Sequence, residues 1–413
     1  MDKTLPTSQV EPFGGMDGDR VLPSKGVSAH MLEDQLLVFF ERTQTLYTLN
    51  ASAAVVWLCC EDGMNQVEIV RSVAETFRIS PEAAQDDVHT IIEEWISLGL
   101  VARSGAEPEY EAPFGSEDSP LPDEDRSSIA STQRFRCEFH FRLAGLKVLV
   151  RMPGPVEEAN VRPIFLHLES DEEDCQSVIE VVSRRHGYVV LRDGAEMGEC
   201  SQPNELGPII SQGVLVAAYR RCDFLIAVHA AVLGTRDGCV VFPGISGIGK
   251  TTLAVGLMNA GFRYFTDEVA IVERGSNRII PVPVGLRVKE GSWKIVSSML
   301  EHFAGVWYTV AQNGTSIRYA VPAPGSFASS PEEGKPVKWL VFPTYSPQGP
   351  ASLSPLSRIE AIRRLQAVGY EIRDRLNGQK VGELVAWIKH AECCEMTFPS
   401  LSSAITMVQG LVE

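Results

Sequence analysis

The sequence predicts a mixed α/β protein carrying a small N-terminal winged-helix-like α+β domain. Three observations predict it. A strand, a glycine-rich loop and a helix follow one another around residues 239–260. Across the rest of the C-terminal two-thirds, strand and helix patterns mix without strict alternation. Near the N-terminus, two short strand patterns precede three helix patterns. At 413 residues, the chain has room for two to three such domains.

Residues 1–28, rich in Gly, Pro and Asp, predict a disordered N-terminus. Residues 36–40 and 45–49 then read as strands joined by a polar turn. Asn50 predicts the cap of a helix that runs to Cys60 and stops at Asp62-Gly63. Residues 66–77 place Ile69, Val70, Val73, Ala74 and Phe77 on one helical face. Ser80-Pro81-Glu82 is a strong helix start, and Gly99 is its stop. Together these make a domain over 29–103. Residues 104–133 hold Pro108, Pro113, Pro120 and Pro122 among many acids, with Arg126 the only base, and read as a self-repelling tether.

The second domain is expected over 134–413. Strand patterns fall at 135–141, 147–151 and 188–191, and a helix pattern at 208–221. One apolar strand is expected over 224–233 with His229 inside it, then the strand 239–242, the helix 252–260 and a further strand pattern at 263–272. The tail predicts helices near 358–367, 381–390 and 401–412, and a strand near 395–398.

Composition excludes several functions. A net charge of -16 argues against a general nucleic-acid binder, which needs a basic face. Nine cysteines without a C-x-x-C pair fit neither a zinc site nor a disulfide frame, and point to a reducing cytoplasm. The first twenty residues lack the apolar core of a signal peptide, and the apolar run 224–233 is too short to span a bilayer, so no membrane partner is expected.

Gly244-Ile245-Ser246-Gly247-Ile248-Gly249-Lys250-Thr251 satisfies the G-x-x-x-x-G-K-[ST] pattern in full. Set between a strand and a helix, it offers backbone N–H groups and a positive helix end to a polyphosphate. Gly244, Ser246, Gly247, Ile248, Gly249, Lys250, Thr251 and Thr252 are therefore the expected nucleotide contacts, with Lys250 on the outer phosphates and the Thr251 hydroxyl on Mg²⁺. Asp267-Glu268 follows one helix and one short strand later, where an acid pair falls at a strand end beside the loop. Phosphoryl transfer needs one acid to take or orient the acceptor proton and one to hold Mg²⁺. Asp267 fits the first role and Glu268 the second, or the reverse. His229, one strand upstream, is placed to face Asp267.

His229-Ala230-Ala231, the glycine loop and Asp267-Glu268 together resemble the HPr serine kinase/phosphorylase catalytic domain. They are more similar still to the HPr-kinase-related kinases of peptide-modification gene clusters. Residues 281–289 and 339–343 also resemble that group, and the likeness spans about Arg134 to the C-terminus. The resemblance implies a phosphoenolpyruvate-carboxykinase-like core, a base at Asp267, a partnering histidine at His229, catalytic Lys250, and possible homo-oligomers. The chain has Asp267-Glu268 where HPr kinases carry two aspartates, and Thr251 where they carry Ser. Arg287 and Lys289 are candidates for substrate contacts, and Glu290 for a further Mg²⁺ contact.

Residues 47–57, the Asp62-Gly63 turn and the helix ending at Phe77 are similar to PqqD, over about 27–101. That resemblance implies recognition of the leader of a ribosomally made precursor peptide, added as a strand to the small sheet's edge, with Phe39, Leu46 and residues 88–95 flanking it. The expected activity is an ATP- and Mg²⁺-dependent kinase for a Ser or Thr hydroxyl on such a peptide. A kinase of a small hydroxylated metabolite and a nucleotide-switched peptide chaperone are the alternatives.

Overall fold

The computed structural model describes residues 20–104 and 134–413, apart from 173, 301–302, 304–307, 312 and 374. The expected tether, from residue 105 on, and residues 1–19 lie outside the described residues. The described chain divides into two compact units, 20–104 with 376–385, and 134–375 with 386–413.

The first unit contains β1 (Val21–Pro23), β2 (Val27–Leu32), β3 (Gln35–Phe40), β4 (Thr45–Leu49), α1 (Ala51–Glu61), α2 (Gln66–Phe77), α3 (Pro81–Leu98) and β5 (Val101–Arg103). The three helix starts follow from their caps. Asn50 accepts from the Ala53 N–H, Asn65 and Glu68 form a reciprocal capping box, and Ser80 accepts from the Ala83 N–H ahead of Pro81. Their apolar faces meet one face of the sheet, where Trp57 packs edge-on against Trp95 with ring centroids 5.3 Å apart.

Two strands more than expected complete this unit's N-terminal part. Residues 21–28 were assigned to the disordered segment, yet they form β1, paired with β5, and the start of β2, paired with β3. The Gly, Pro and Asp that carried that expectation lie mostly before residue 20. The sheet order is therefore β2-β3-β4, with β4 at one end.

Residues 376–385, expected in the C-terminal domain, group with this unit. The Gln44 amide brackets the Leu376 backbone, donating to its carbonyl and accepting from its N–H, both at 3.0 Å. Gly378 and Gly382 lie against Ser28 and His30 of β2, whose cross-strand partners are Phe39 and Leu37. Phe39 is 1% exposed, so it belongs to a covered face and not to an open groove.

The second unit begins with β6 (Cys137–Leu143), β7 (Leu146–Met152), α4 (Pro155–Phe165), β8 (Ser177–Arg184), β9 (Gly187–Arg192), β10 (Ala195–Cys200) and α5 (Leu206–Arg221). The five strands form one sheet in the order β10-β9-β8-β7-β6, parallel only between β7 and β8. Its apolar residues share one core cluster with residues of α4 and α5.

The site-bearing part follows with β11 (Phe224–Val228), β12 (Ala230–Gly234), β13 (Cys239–Pro243), α6 (Lys250–Asn259), β14 (Arg263–Thr266), β15 (Ala270–Glu273), β16 (Arg278–Ile280), β17 (Leu286–Lys289), α7 (Trp293–Ser297), β18 (Tyr308–Val310) and β19 (Ser316–Ala320). It ends with β20 (Lys335–Tyr345), β21 (Ser352–Pro355), α8 (Arg358–Val368), β22 (Tyr370–Glu371), α9 (Gly378–His390), of which only residues 386–390 group with this unit, β23 (Glu392–Phe398) and α10 (Leu401–Val412). The main sheet runs β14-β12-β13-β20-β16-β15-β11-β22, with β23 parallel to β20 and β21 paired to β23. Strands β17, β19 and β18 form a separate three-stranded sheet.

One expected strand is broken in two, and a second strand pattern ends at the acid pair. The run 224–233 splits at His229 into β11, paired with β15, and β12, paired with β13 and β14. The run 263–272 splits at Asp267–Val269 into β14 and β15. Continuous apolar patterning conceals the break at His229, because both flanking strands are buried; the acid pair Asp267-Glu268 marks the second as the strand end the sequence predicts.

Candidate active site

The glycine loop lies between β13 and α6, as the local sequence demands. Gly247 and Gly249 have φ of +97° and +95°, a region open to glycine without steric cost. The loop, the two strand breaks and the end of β17 bound one cleft of ≈ 500 Å³. His229, Ser246, Gly247, Gly249, Lys250, Thr251, Thr252, Asp267, Glu268, Arg287 and Lys289 all line it. Gly244 and Ile248 do not; a Cβ on Gly244 would meet Ile248 Cδ1 at 1.9 Å, so these two residues shape the loop from behind.

Lys250 is 6% exposed and its ammonium donates to Gly244 O at 2.5 Å, Ile245 O at 3.0 Å and His229 Nε2 at 3.1 Å. The imidazole's Nδ1 lies 2.7 Å from Glu268 O. A carbonyl only accepts, so Nδ1 carries the proton and Nε2 accepts from Lys250. His229 was expected to face Asp267; its partners are instead Lys250 and the Glu268 backbone. Burial, then repulsion by Lys250, holds the imidazole below its ordinary range, and burial brings the Lys250 ammonium down to about 8.

Asp267 is 3% exposed. Thr251 Oγ1 donates to its Oδ2 at 2.8 Å, and the Tyr264 hydroxyl lies 2.8 Å from its Oδ1. Burial, reinforced by the neighbouring Glu268 charge, raises its carboxyl to about 7 despite those two donors. Glu268 turns the other way and pairs with Arg287 at 3.4 Å. The Thr251 hydroxyl thus meets Asp267, where the sequence grouped it with Glu268 as metal contacts. Lys289 reaches across the cleft to Ser246 Oγ at 2.7 Å, and Thr252 bonds Ser292 Oγ at 2.9 Å. Glu290 opens a short 3₁₀ turn after β17 and is not among the lining residues.

Four polar contributors escaped the sequence reading, one of them Ser292, the partner of Thr252. Tyr264 reads as an ordinary core residue of a four-residue strand. Asn313 and Thr315 reach the cleft from the β18–β19 hairpin, some sixty residues after the loop. Only the rule that a buried tyrosine hydroxyl needs a partner could have flagged Tyr264.

A buried cation whose donors rest on loop carbonyls, two left-handed glycines and a hydroxyl beside a carboxyl suit a phosphate group and its counter-ion. Among the described residues, no group of three or more His, Cys, Asp or Glu could hold a metal ion unaided.

The family described as coenzyme PQQ synthesis protein D (PqqD) matches residues 35–101. This N-terminal segment is PqqD-like, and the match starts at β3, leaving β1 and β2 outside it. No curated protein matches the chain. Among solved structures, TbiB1 in complex with the TbiA(beta) leader peptide is 18% identical, with 21% of this chain and 99% of that one covered and a TM-score of 0.19. Lasso peptide synthetase B1 complexed with the leader peptide is 13% identical, covering 20% and 96%, with a TM-score of 0.19. The Hpr(Ser) kinase/phosphatase from Coxiella burnetii is 11% identical, covering 45% and 97%, with a TM-score of 0.21. Among the described residues, no helix is long and apolar enough to cross a membrane.

Proposed function

We propose that the second unit is a cytoplasmic kinase, dependent on ATP and Mg²⁺, that phosphorylates a Ser or Thr hydroxyl of a ribosomally made precursor peptide, and that the first unit captures this peptide by its leader. One observation carries the catalytic half. Consecutive residues at one helix start, Lys250 and Thr251, present a buried ammonium and a hydroxyl that bonds the buried Asp267 carboxyl at 2.8 Å. Cation, metal-ligating hydroxyl and base are the parts phosphoryl transfer asks of a protein.

Bound Mg·ATP supplies the transferable phosphoryl group. The N–H groups of Gly247 and Gly249 and the Lys250 ammonium hold phosphate oxygens and oppose the charge that develops on them. Thr251 and Glu268 would hold the metal, Glu268 by turning from its ion pair with Arg287. Asp267 accepts the proton of the acceptor hydroxyl. His229, through its Nε2, orients Lys250. Arg287 and Lys289 border the acceptor side.

The peptide half is supported by the PqqD match and by β4, which ends the β2-β3-β4 sheet and offers its outer edge to an added strand. The assay is transfer of labelled phosphate to a precursor peptide encoded beside this gene. Wild type should label one Ser or Thr, and Lys250→Ala and Asp267→Asn should not approach its rate. Removing the leader from the peptide should raise KM by about 10-fold or more, because capture raises the local substrate concentration. Peptide binding without phosphate transfer would refute the kinase.

A further inference from the structure

Tyr264 has no part in the chemistry above, yet it touches the centre of it. The residue is 0% exposed within β14. Its backbone is held on both sides, the N–H donating to Ser326 O at 2.8 Å and the carbonyl accepting from Ala328 N at 2.9 Å. Its ring belongs to the same apolar cluster as Leu286 and Val288 of β17. Little freedom is left to the phenol.

The hydroxyl meets two groups. Both are acceptors, Asp267 Oδ1 at 2.8 Å and Val284 O at 2.9 Å, so the single phenol proton is shared between them. Val284 lies two residues before β17, the strand that carries Arg287 and Lys289. The preceding carbonyl, Pro283 O, is gripped by His167 Nε2 at 2.6 Å. One hydroxyl therefore links the acid to the segment that delivers the cleft's basic side chains.

An aspartate carboxyl turns easily about its last bond, where the torsion is broad. Two donors on different oxygens fix its plane. Thr251 is one of them, and its hydroxyl has a second task at the metal. Tyr264 is the other, and nothing requires it to move. A Phe or Leu would fill the same apolar space without reaching either acceptor. Burying a phenol oxygen costs free energy unless it is paired, so its presence in a core strand points to the pairing.

We propose that Tyr264 is a positioning residue for phosphoryl transfer: its hydroxyl sets the plane of the Asp267 carboxyl and ties it to the loop leading into β17. The proposal rests on the kinase reading.

Tyr264→Phe in the full chain tests it, since only one oxygen is removed. The expected result is a kcat lower by about 10- to 100-fold, in the range of losing one oriented acid–base contact, with KM for the nucleotide within about twofold. Thermal unfolding should stay near that of the wild type. In a double-mutant cycle with Asp267→Asn, the Phe substitution should add less than about a further twofold to the residual loss, because Tyr264 acts through that carboxyl. Wild-type kcat in Tyr264→Phe overturns the proposal. So does an additive cycle, or a variant that no longer folds, either of which makes the tyrosine scaffold alone. If the wild type transfers phosphate to no acceptor, the kinase reading fails and takes this proposal with it. An active wild type beside an unimpaired Tyr264→Phe removes only the proposal.

Discussion

The glycine loop and the acid pair line one cleft but reach it by different routes. The loop is local. Its strand, two left-handed glycines and helix start lie within about twenty consecutive residues, and each follows from its own sequence. His229 sits at a break in a strand that the sequence presents as continuous, and Asp267 at the strand end its acid pair predicts. Their geometry is set by partners far along the chain: Val284 for the tyrosine that holds Asp267, and Lys250 for the imidazole. A phosphate-holding loop can thus be carried by short-range rules, whereas the group that takes the proton depends on tertiary structure.

The comparison breaks most sharply at Asp267. Asp267→Asn should lower phosphate transfer by about 10²- to 10⁴-fold while nucleotide affinity stays within severalfold. Lys250→Ala should lose both, as calorimetric titration with a non-hydrolysable nucleotide would reveal. Matching affinity losses in the two variants would merge the two routes into one.

The non-local route also makes a stability prediction. His167 grips the Pro283 carbonyl with Nε2, and its Nδ1 is buried without a partner. Burial lowers its pKa from 6.5 to about 4. The folded imidazole stays neutral while the unfolded one takes a proton below its ordinary pKa. Stability should therefore fall as pH drops from about 6.5 toward 4, by up to about 3 kcal/mol. Denaturant unfolding across that range should show a smaller pH slope in His167→Gln. An unchanged slope would remove His167 as the source.

The smallest effect belongs to the local route. Gly249→Ala places a Cβ at φ +95°, with no neighbour within 4 Å to clash. The cost is conformational, about 1–2 kcal/mol, or about 5- to 30-fold in nucleotide affinity if the loop must hold that backbone to bind. Unaltered affinity would show that the loop changes conformation around its ligand.

The same division explains what could be read in advance. Caps at Asn50 and Ser80, and the stops at Gly99 and Gly261, located their helices because each signal acts within one turn. The strand at 27–32 was hidden behind a Gly- and Pro-rich start, since its order comes from pairing with β3. Burial on all sides removed the alternation that would have marked the break at His229, whereas the acid pair at Asp267 marked its own strand end. The cleft's membership was largely legible, Lys289 and Arg287 included. The bonding within it was less so: the sequence leaves open which acid Thr251 meets, which is Asp267, and His229 meets Lys250 instead of Asp267, because side-chain direction follows from packing.

The most direct measurement is a crystal structure of the full chain with Mg²⁺ and a non-hydrolysable ATP analogue. The account predicts a terminal phosphate held by Lys250, with the Asp267 carboxyl facing the side from which an acceptor hydroxyl approaches. A nucleotide bound with its phosphates away from Lys250, or an Asp267 carboxyl turned out of the cleft, would contradict it.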